Sequence, residues 1–424
     1  MKRFITLVIV TSLLVVSLNA LVMSQERPYE GVKIRVLSQA RPSLEVAKKY
    51  LSEFEDETGI KVALDTFGEQ QRRSKERLDA STGAGTYQVY YVDEANVAQF
   101  ARNDWILPIL KYYPDKYEWS DFSKSAREIA SYEGKPYFAP LFLSGDLLFY
   151  RKDILQEEGI EEPKTLEELT KAIKKVHNPP NIYGWVSRGE RGSGMNVWRW
   201  AAFFKAFEGT WFDDDGEPNI NSEAAIQATK KYMELLEYGP PGVETSSWSS
   251  NIENLRSGKA AFMVDANVFV DWLENPEKSN VVGKIGYAAP PKPLVSAGST
   301  HGFAISKPGC KTEKVREAAG LFIGWVTSKE QETKRLKEGV LGEITRKSTL
   351  DHPIMKESMN SDALQATKDM YEVTEMTIMN KPDWPQIGDK LGITLEQLFT
   401  GQRTDIQAAL NEVNEYAKEV LERK

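Results

Sequence analysis

The chain has 424 residues and a formal charge of −8, with acids and bases interspersed along its length. No basic stripe is present, so no nucleic-acid partner is expected. The single cysteine, Cys310, excludes an internal disulfide framework and a multi-cysteine metal site. His177, His301 and His352 are too scattered to ligate a metal, and neither metal nor cofactor is expected. The length is too great for one domain and comfortable for two.

The chain opens on Lys2 and Arg3, an uncharged, mostly apolar run from Phe4 to Val16, and small-residue exits at Ala20 and Ser24. That order of parts predicts a cleaved signal peptide over residues 1–24. The alternative is an uncleaved anchor, because Phe4 to Met23 is about long enough to span a bilayer. No cysteine stands near the exits, so no lipid anchor is expected. No second long apolar run follows, and the body is expected to be soluble.

Val32 to Leu37 alternates as a strand. Ser43 to Thr58 predicts a helix with Leu44, Ala47, Leu51 and Phe54 on one face. Lys61 to Phe67 is a strand, Gln70 to Ala80 a helix, and Tyr87 to Val92 a buried strand. This β-α-β-α-β order predicts a parallel sheet with helices on both faces. Ligands of such sheets lie beyond the strand C-termini, here at 39–41, 68–70 and Asp93-Glu94. The apolar run from Tyr137 to Tyr150 is broken at Ser144-Gly145-Asp146, either a crossing between lobes or a bulge.

Lys152 to Glu158 reads as a short helix stopped by Gly159. Thr165 and Glu168 form a capping box for a helix whose face is Leu166, Leu169, Ile173 and Val176. The glycines of Ser187 to Met195 lack the spacing of a dinucleotide fingerprint and predict a mobile loop. Asp213-Asp214-Asp215-Gly216 reads as a polar turn and not a calcium loop. A helix over Ser222 to Tyr238, a strand over Ala260 to Val264 and a stiff connector over Ala288 to Pro293 follow. Next come a strand over Gly302 to Ser306 and a helix over Thr312 to Val326. Two last helices, Thr394 to Phe399 and Thr404 to Leu421, each begin at a predicted capping box.

The run Tyr150-Arg151-Lys152-Asp153-Ile154-Leu155, then Glu158-Gly159-Ile160, Pro163 and Thr165-Leu166-Glu167-Glu168-Leu169, resembles a family signature. The family is extracellular solute-binding protein family 1, the maltose-binding-protein-like receptors of sugar ABC importers. The stretches 258–264, 286–292, 300–306, 398–401 and 404–410 resemble its later landmarks in the same order. His301 stands where that family usually has glycine.

The resemblance implies an α/β, two-lobed periplasmic-binding-protein-like (type II) fold with a multi-strand hinge and discontinuous lobes. One lobe would comprise 25–143 with 300–345, the other 144–299 with 346–424. It implies a monomeric, periplasmic or extracellular receptor that hands a carbohydrate ligand to ABC transporter permease subunits. That ligand would be neutral, from a monosaccharide or sugar alcohol up to an oligosaccharide.

Strand ends and the resemblance together nominate Gln39, Arg41, Glu69, Asp93 and Glu94 in the first lobe. Ser144 and Asp146 flank the crossing. Asn196, Trp198, Asp265 and Asn267 are nominated in the second lobe, with His301 and Arg346 as further candidates. Trp384, between Pro382 and Pro385, is expected in a loop as an aromatic platform. Ten tryptophans, several in loop-like stretches, suit a sugar site that pairs aromatic faces with carboxylates and amides.

No Gly-x-Ser-x-Gly, His-Glu-x-x-His or Walker loop is present, and the chain is not expected to be an enzyme. Two alternatives stay open. A secreted glycoside-active enzyme would set two carboxylates about 5–10 Å apart. A receptor for a polyamine or osmolyte would box a cation with aromatics and acids.

Overall fold

The computed structural model describes residues 27–192 and 194–422, and the signal-peptide reading lies outside them. The first sheet grows from the predicted strands. β1 (Lys33–Gln39) pairs in parallel with β2 (Lys61–Phe67) on one side and with β3 (Val89–Asp93) on the other. A later strand, β10 (Ser299–Ser306), joins antiparallel between β3 and β4 (Ile106–Leu107), and β5 (Ala139–Ser144) also pairs with it. Phe54, Phe303, Phe322 and Trp325 fill one core layer of this sheet, and Leu37, Tyr90, Phe100 and Phe138 another.

The helix expected over 43–58 is two helices, Pro42–Lys49 and Leu51–Thr58. Tyr50 leaves helical geometry between them (φ −105°, ψ 4°), where its hydroxyl reaches Glu338 and its ring lies under Lys334. Here tertiary anchoring overrides a continuous helical pattern.

At Ser144 the chain leaves the first sheet, and β6 (Asp146–Arg151) enters a second. The break is therefore a crossing and not a bulge. Its single intervening residue is a glycine because neighbours come too close for a side chain. A Cβ on Gly145 would stand 2.5 Å from Ser296 Oγ and 2.6 Å from Thr374 Oγ1. Ser296–Ala297 and Thr374–Glu375 pair there as two short parallel strands.

The second sheet has the order β9-β6-β8-β7, where β7 is Tyr183–Val186, β8 Ala260–Ala266 and β9 Ile285–Ala288. β6 runs antiparallel to β8 and β9, and β8 parallel to β7. Every residue of β8 is buried, which explains its unbroken apolar start.

The signature stretch folds as read. Gly159 takes φ 63°, a left-handed conformation that favours glycine, just after the Lys152–Glu157 helix. The Thr165 hydroxyl accepts from the Glu168 amide at 3.1 Å, and Glu168 accepts from the Thr165 amide at 3.2 Å. The C-terminal caps differ from the expectation. Trp384–Phe399 is one helix in which Thr394 sits mid-span, its hydroxyl donating to the Lys390 carbonyl. The last helix, Ile406–Glu422, is entered through Asp405, whose carboxylate accepts from the Ala408 amide at 2.9 Å. None of the described helices is long and apolar enough to cross a membrane.

Candidate functional site

Polar side chains are buried where the two sheets face each other. On the first-sheet side, β3 ends at Asp93, which is fully buried. The helix Glu69–Thr82 aims consecutive arginines at it, Arg72 Nη2 at 2.5 Å and Arg73 Nε at 2.8 Å, and Asn96 donates to its other oxygen. Arg72 also reaches Glu76 one turn along at 2.7 Å and the Tyr91 carbonyl. Burial alone would raise the Asp93 pKa, but Arg73 and Arg72 overcome it and hold the carboxyl below the usual range.

Glu94 accepts from Ser299 Oγ at 3.1 Å and the Thr300 amide at 3.2 Å, with His301 Nε2 at 3.6 Å. Burial, then the neighbouring Asp93 charge, pushes its pKa up to about 8. Burial likewise lowers His301 well below its ordinary value, so the imidazole is neutral. Its ring stands edge-on to Tyr91 and Phe142. Arg41 lies 3.6 Å over the Phe142 ring and gives two nitrogens to Glu343.

On the second-sheet side, Asp146 and Asp265 come from adjacent strands, with Ala266 paired to Asp146. Arg188 grips Asp265 with both arms of its fork, at 2.9 and 2.5 Å. Arg199 ion-pairs with Asp146, whose second oxygen accepts from the Ala297 amide at 3.2 Å. Burial outweighs that ion pair and leaves Asp146 at about 6. For Asp265 the balance reverses: against the same burial, Arg188 and Arg199 lower its pKa. Trp198, on the helix Asn196–Ala206, carries both guanidiniums, Arg199 at 3.6 Å and Arg188 at 4.8 Å from the ring centre.

A cavity of about 260 Å³ lies between these walls, lined by Glu69, Arg73 and Asn96 on one side and Arg188, Met195 and Trp248 on the other. Around the facing strand ends, several buried polar atoms have no partner in the protein. They are Gln39 Oε1, Ser144 Oγ, Thr300 Oγ1, His301 Nδ1, Trp198 Nε1, and Arg199 Nε and Nη2. Buried polar groups ordinarily find partners, so such a concentration marks a place built to hydrogen-bond something else. Among the described residues no group of three or more His, Cys, Asp or Glu is arranged to hold a metal ion.

The structure brings Gln39, Arg41, Asp93, Glu94, Ser144, Asp146, Trp198, Asp265 and His301 to this region, with Glu69 at its rim ion-paired to Arg73. Four candidates are corrected. Arg346 is fully buried over Phe122, donating to the carbonyls of Tyr117, Glu118 and Thr327 and to the Tyr113 hydroxyl. Trp384 is the first residue of a helix and not in a loop; it is fully buried, edge-to-face with Trp211 at 5.1 Å. Proline at the second helical position is compatible with a helix start, so the flanking prolines did not force a loop. Asn196 uses its amide donors on the carbonyls of Gly189 and Gly392 and keeps only its unpartnered Oδ1 for a ligand. Asn267 bonds back to both backbone groups of Gly145 and so fixes the crossing.

The first part of the glycine-rich stretch expected to be mobile, Arg188 to Glu190, is anchored. Arg188 is pinned by Asp265, and the amides of Gly189 and Glu190 both donate to the Ser246 carbonyl. Sequence reasoning also missed Arg72, Arg73, Arg199 and Glu343. A signal existed for the first pair, since Glu69/Arg73 and Arg72/Glu76 are both spaced i,i+4.

Two α/β lobes joined at a strand crossing, with buried polar residues between them, define a type II periplasmic-binding fold. The sequence matches the bacterial extracellular solute-binding protein family over residues 41–333, and the chain belongs to that family. It is similar to a mannitol-binding protein of Pseudomonas aeruginosa, 25% identical over 402 residues, covering 89% of this chain and 91% of that one. A solute-binding protein of Agrobacterium radiobacter K84 in complex with ribitol is 27% identical, with a TM-score of 0.81 over 92% of this chain and 99% of that one. One from Agrobacterium vitis S4 with bound D-mannitol shares the fold, at 23% identity and a TM-score of 0.79 over 92% and 98% of the two chains.

Proposed function

We propose that this protein is the periplasmic or extracellular receptor of an ABC importer for an acyclic polyol or a monosaccharide. The ligand is held between the lobes 25–143 with 300–345 and 144–299 with 346–424, and is passed to the permease chemically unchanged. The observation that carries the reading is the set of unpartnered buried donors and acceptors around Trp198 and the strand ends. A chain of hydroxyls, each donor and acceptor at once, suits that mixture. The mannitol and ribitol ligands named for the similar proteins are of this class.

Charge and size narrow the class. Arg41, Arg72, Arg73, Arg188 and Arg199 are each already paired with a carboxylate, so none of these five offers an unpaired charge to an anionic ligand. The same pairing takes up Asp93, Asp146 and Asp265, so these three acids are not available to box a polyamine. The cavity of about 260 Å³ that opens beside these groups, lined by Arg73, Asn96, Arg188 and Trp248, falls below the roughly 300–1,000 Å³ of drug-sized sites.

Calorimetry of the mature protein with ribitol, mannitol, sorbitol, glucose, maltose, spermidine and glycine betaine tests the reading. A polyol or monosaccharide should bind and be recovered unaltered by chromatography, and at 100 times its Kd should add about 2.7 kcal/mol of stability. Binding confined to spermidine or betaine would sink it. So would hydrolysis products that vanish in Asp93→Asn.

A further inference from the structure

An aromatic step of three rings connects Trp248 at the cavity with the exposed Trp272. Trp248 opens the helix Trp248–Arg256 and lines the cavity. Its ring stacks on Phe269 (6.0 Å, 21°) and meets Trp272 edge-on (5.8 Å, 67°), and Phe269 and Trp272 touch at 5.7 Å. Phe269 is buried behind the step, Trp248 is half-buried, and Trp272 is 42% exposed. No other tryptophan among the described residues is classed as exposed. The short helix that carries it, Val270–Leu273, buries Val270 and Leu273 and so is already anchored without the indole.

We propose that Trp248 and Trp272 form an outer subsite for a pyranose ring attached to the polyol held within, which makes a glycosylated polyol the better ligand. The inference rests on the polyol reading above. Three features favour this occupant. The step is continuous with the ligand cavity through Trp248. A flat indole face is matched by the rigid C–H face of a pyranose, and an acyclic polyol presents no such face. Glu190 and Asp389 line the same cavity as Trp248 and can accept from hydroxyls of a sugar that reaches it. The inner cavity is small for two sugar units, so a second one must lie outside it, and this is the aromatic way out.

The test compares sorbitol with its glucoside maltitol, and mannitol with 1-O-glucosyl-mannitol, by calorimetry on wild type, Trp272→Ala and Trp272→Phe. At least one glucoside should bind about ten-fold tighter than its parent polyol, the scale of one good aromatic contact. Trp272→Ala should erase that gain and leave the parent polyol's affinity unchanged, and Trp272→Phe should restore part of it. Glucosides that bind no tighter than their parents to wild type, or a gain that survives Trp272→Ala, overturn the subsite while leaving the polyol site standing. Failure of every polyol and glucoside to bind overturns the subsite together with the polyol half of the reading above, which binding of glucose alone would leave as a monosaccharide receptor.

Discussion

The Arg199 guanidinium lies 3.6 Å over the Trp198 indole and ion-pairs with Asp146, while its Nε and Nη2 have no partner in the protein. An apolar face and unsatisfied donors are thus held in one rigid unit. Asp146 begins the strand that follows the crossing, so the unit is fastened to the segment about which the lobes would turn. A polyol hydroxyl that meets the Arg199 donors finds them already held in place by the Trp198 ring, and binding need not pay for ordering them.

Trp198→Ala should therefore weaken polyol binding by about 1–2 kcal/mol, in the range of a buried aromatic contact. Calorimetry gives the affinity, and far-UV circular dichroism should be unchanged. Equal affinity in the variant would remove Trp198 from the site.

Trp384 has the opposite expectation. It packs in the second-lobe core against Trp211 with no exposed surface. Trp384→Ala should cost about 3–5 kcal/mol of stability, as large-to-small changes of buried aromatics do. Urea denaturation measures this directly, and an unchanged midpoint would show that the residue is not core.

The family order and the strand-helix alternation were legible because they depend on local patterns: the Thr165–Glu168 box, the Gly159 stop and the alternation after Lys33 all fold as read. The partners inside the cleft were not. Asp93 and Asp265 were named as acids at strand ends, but the arginines that clamp them lie 20, 21 and 77 residues away in sequence. Nothing local links Arg188 to Asp265 until two strands bring them together. Trp384 misled because a tryptophan between prolines looks the same before a loop and at a helix start. Only burial separates the two.

The carboxylates give a pH signature. Glu94, held at about 8 against an ordinary 4.5, keeps a proton in the folded chain that the unfolded chain has released. Between about pH 4.5 and 8 its contribution to stability falls as pH rises. Glu76, also raised to about 8 by burial, acts in the same direction. Asp93 is depressed, so its contribution is full above its ordinary value and is lost as pH falls through the folded one. Glu94→Gln should accordingly lose less stability than wild type between pH 6 and pH 8.5, by urea titration at each pH. Parallel curves would mean that Glu94 is ionised throughout.

The last expectation concerns motion at the crossing. Gly145 is the one residue between β5 and β6, its amide donates to Asn267 Oδ1 at 3.3 Å, and its carbonyl accepts from the Asn267 amide at 2.9 Å. Ligand contacts from Thr300 and His301 on one side and from Trp198 and Arg199 on the other can form together only when the lobes are closed, so a polyol should select that state. Small-angle scattering should show a smaller radius of gyration on adding the polyol that calorimetry identifies, with circular dichroism constant. Gly145→Pro removes the amide donor and adds a ring where Ser296 and Thr374 leave no room. It should weaken binding although no ligand contact is assigned to Gly145, and it should blunt the compaction. Gly145→Ala, which keeps the amide but still adds a Cβ, should fall between. A scattering curve unchanged at saturating polyol in wild type would mean a rigid preformed site, and the hinge would have to be abandoned.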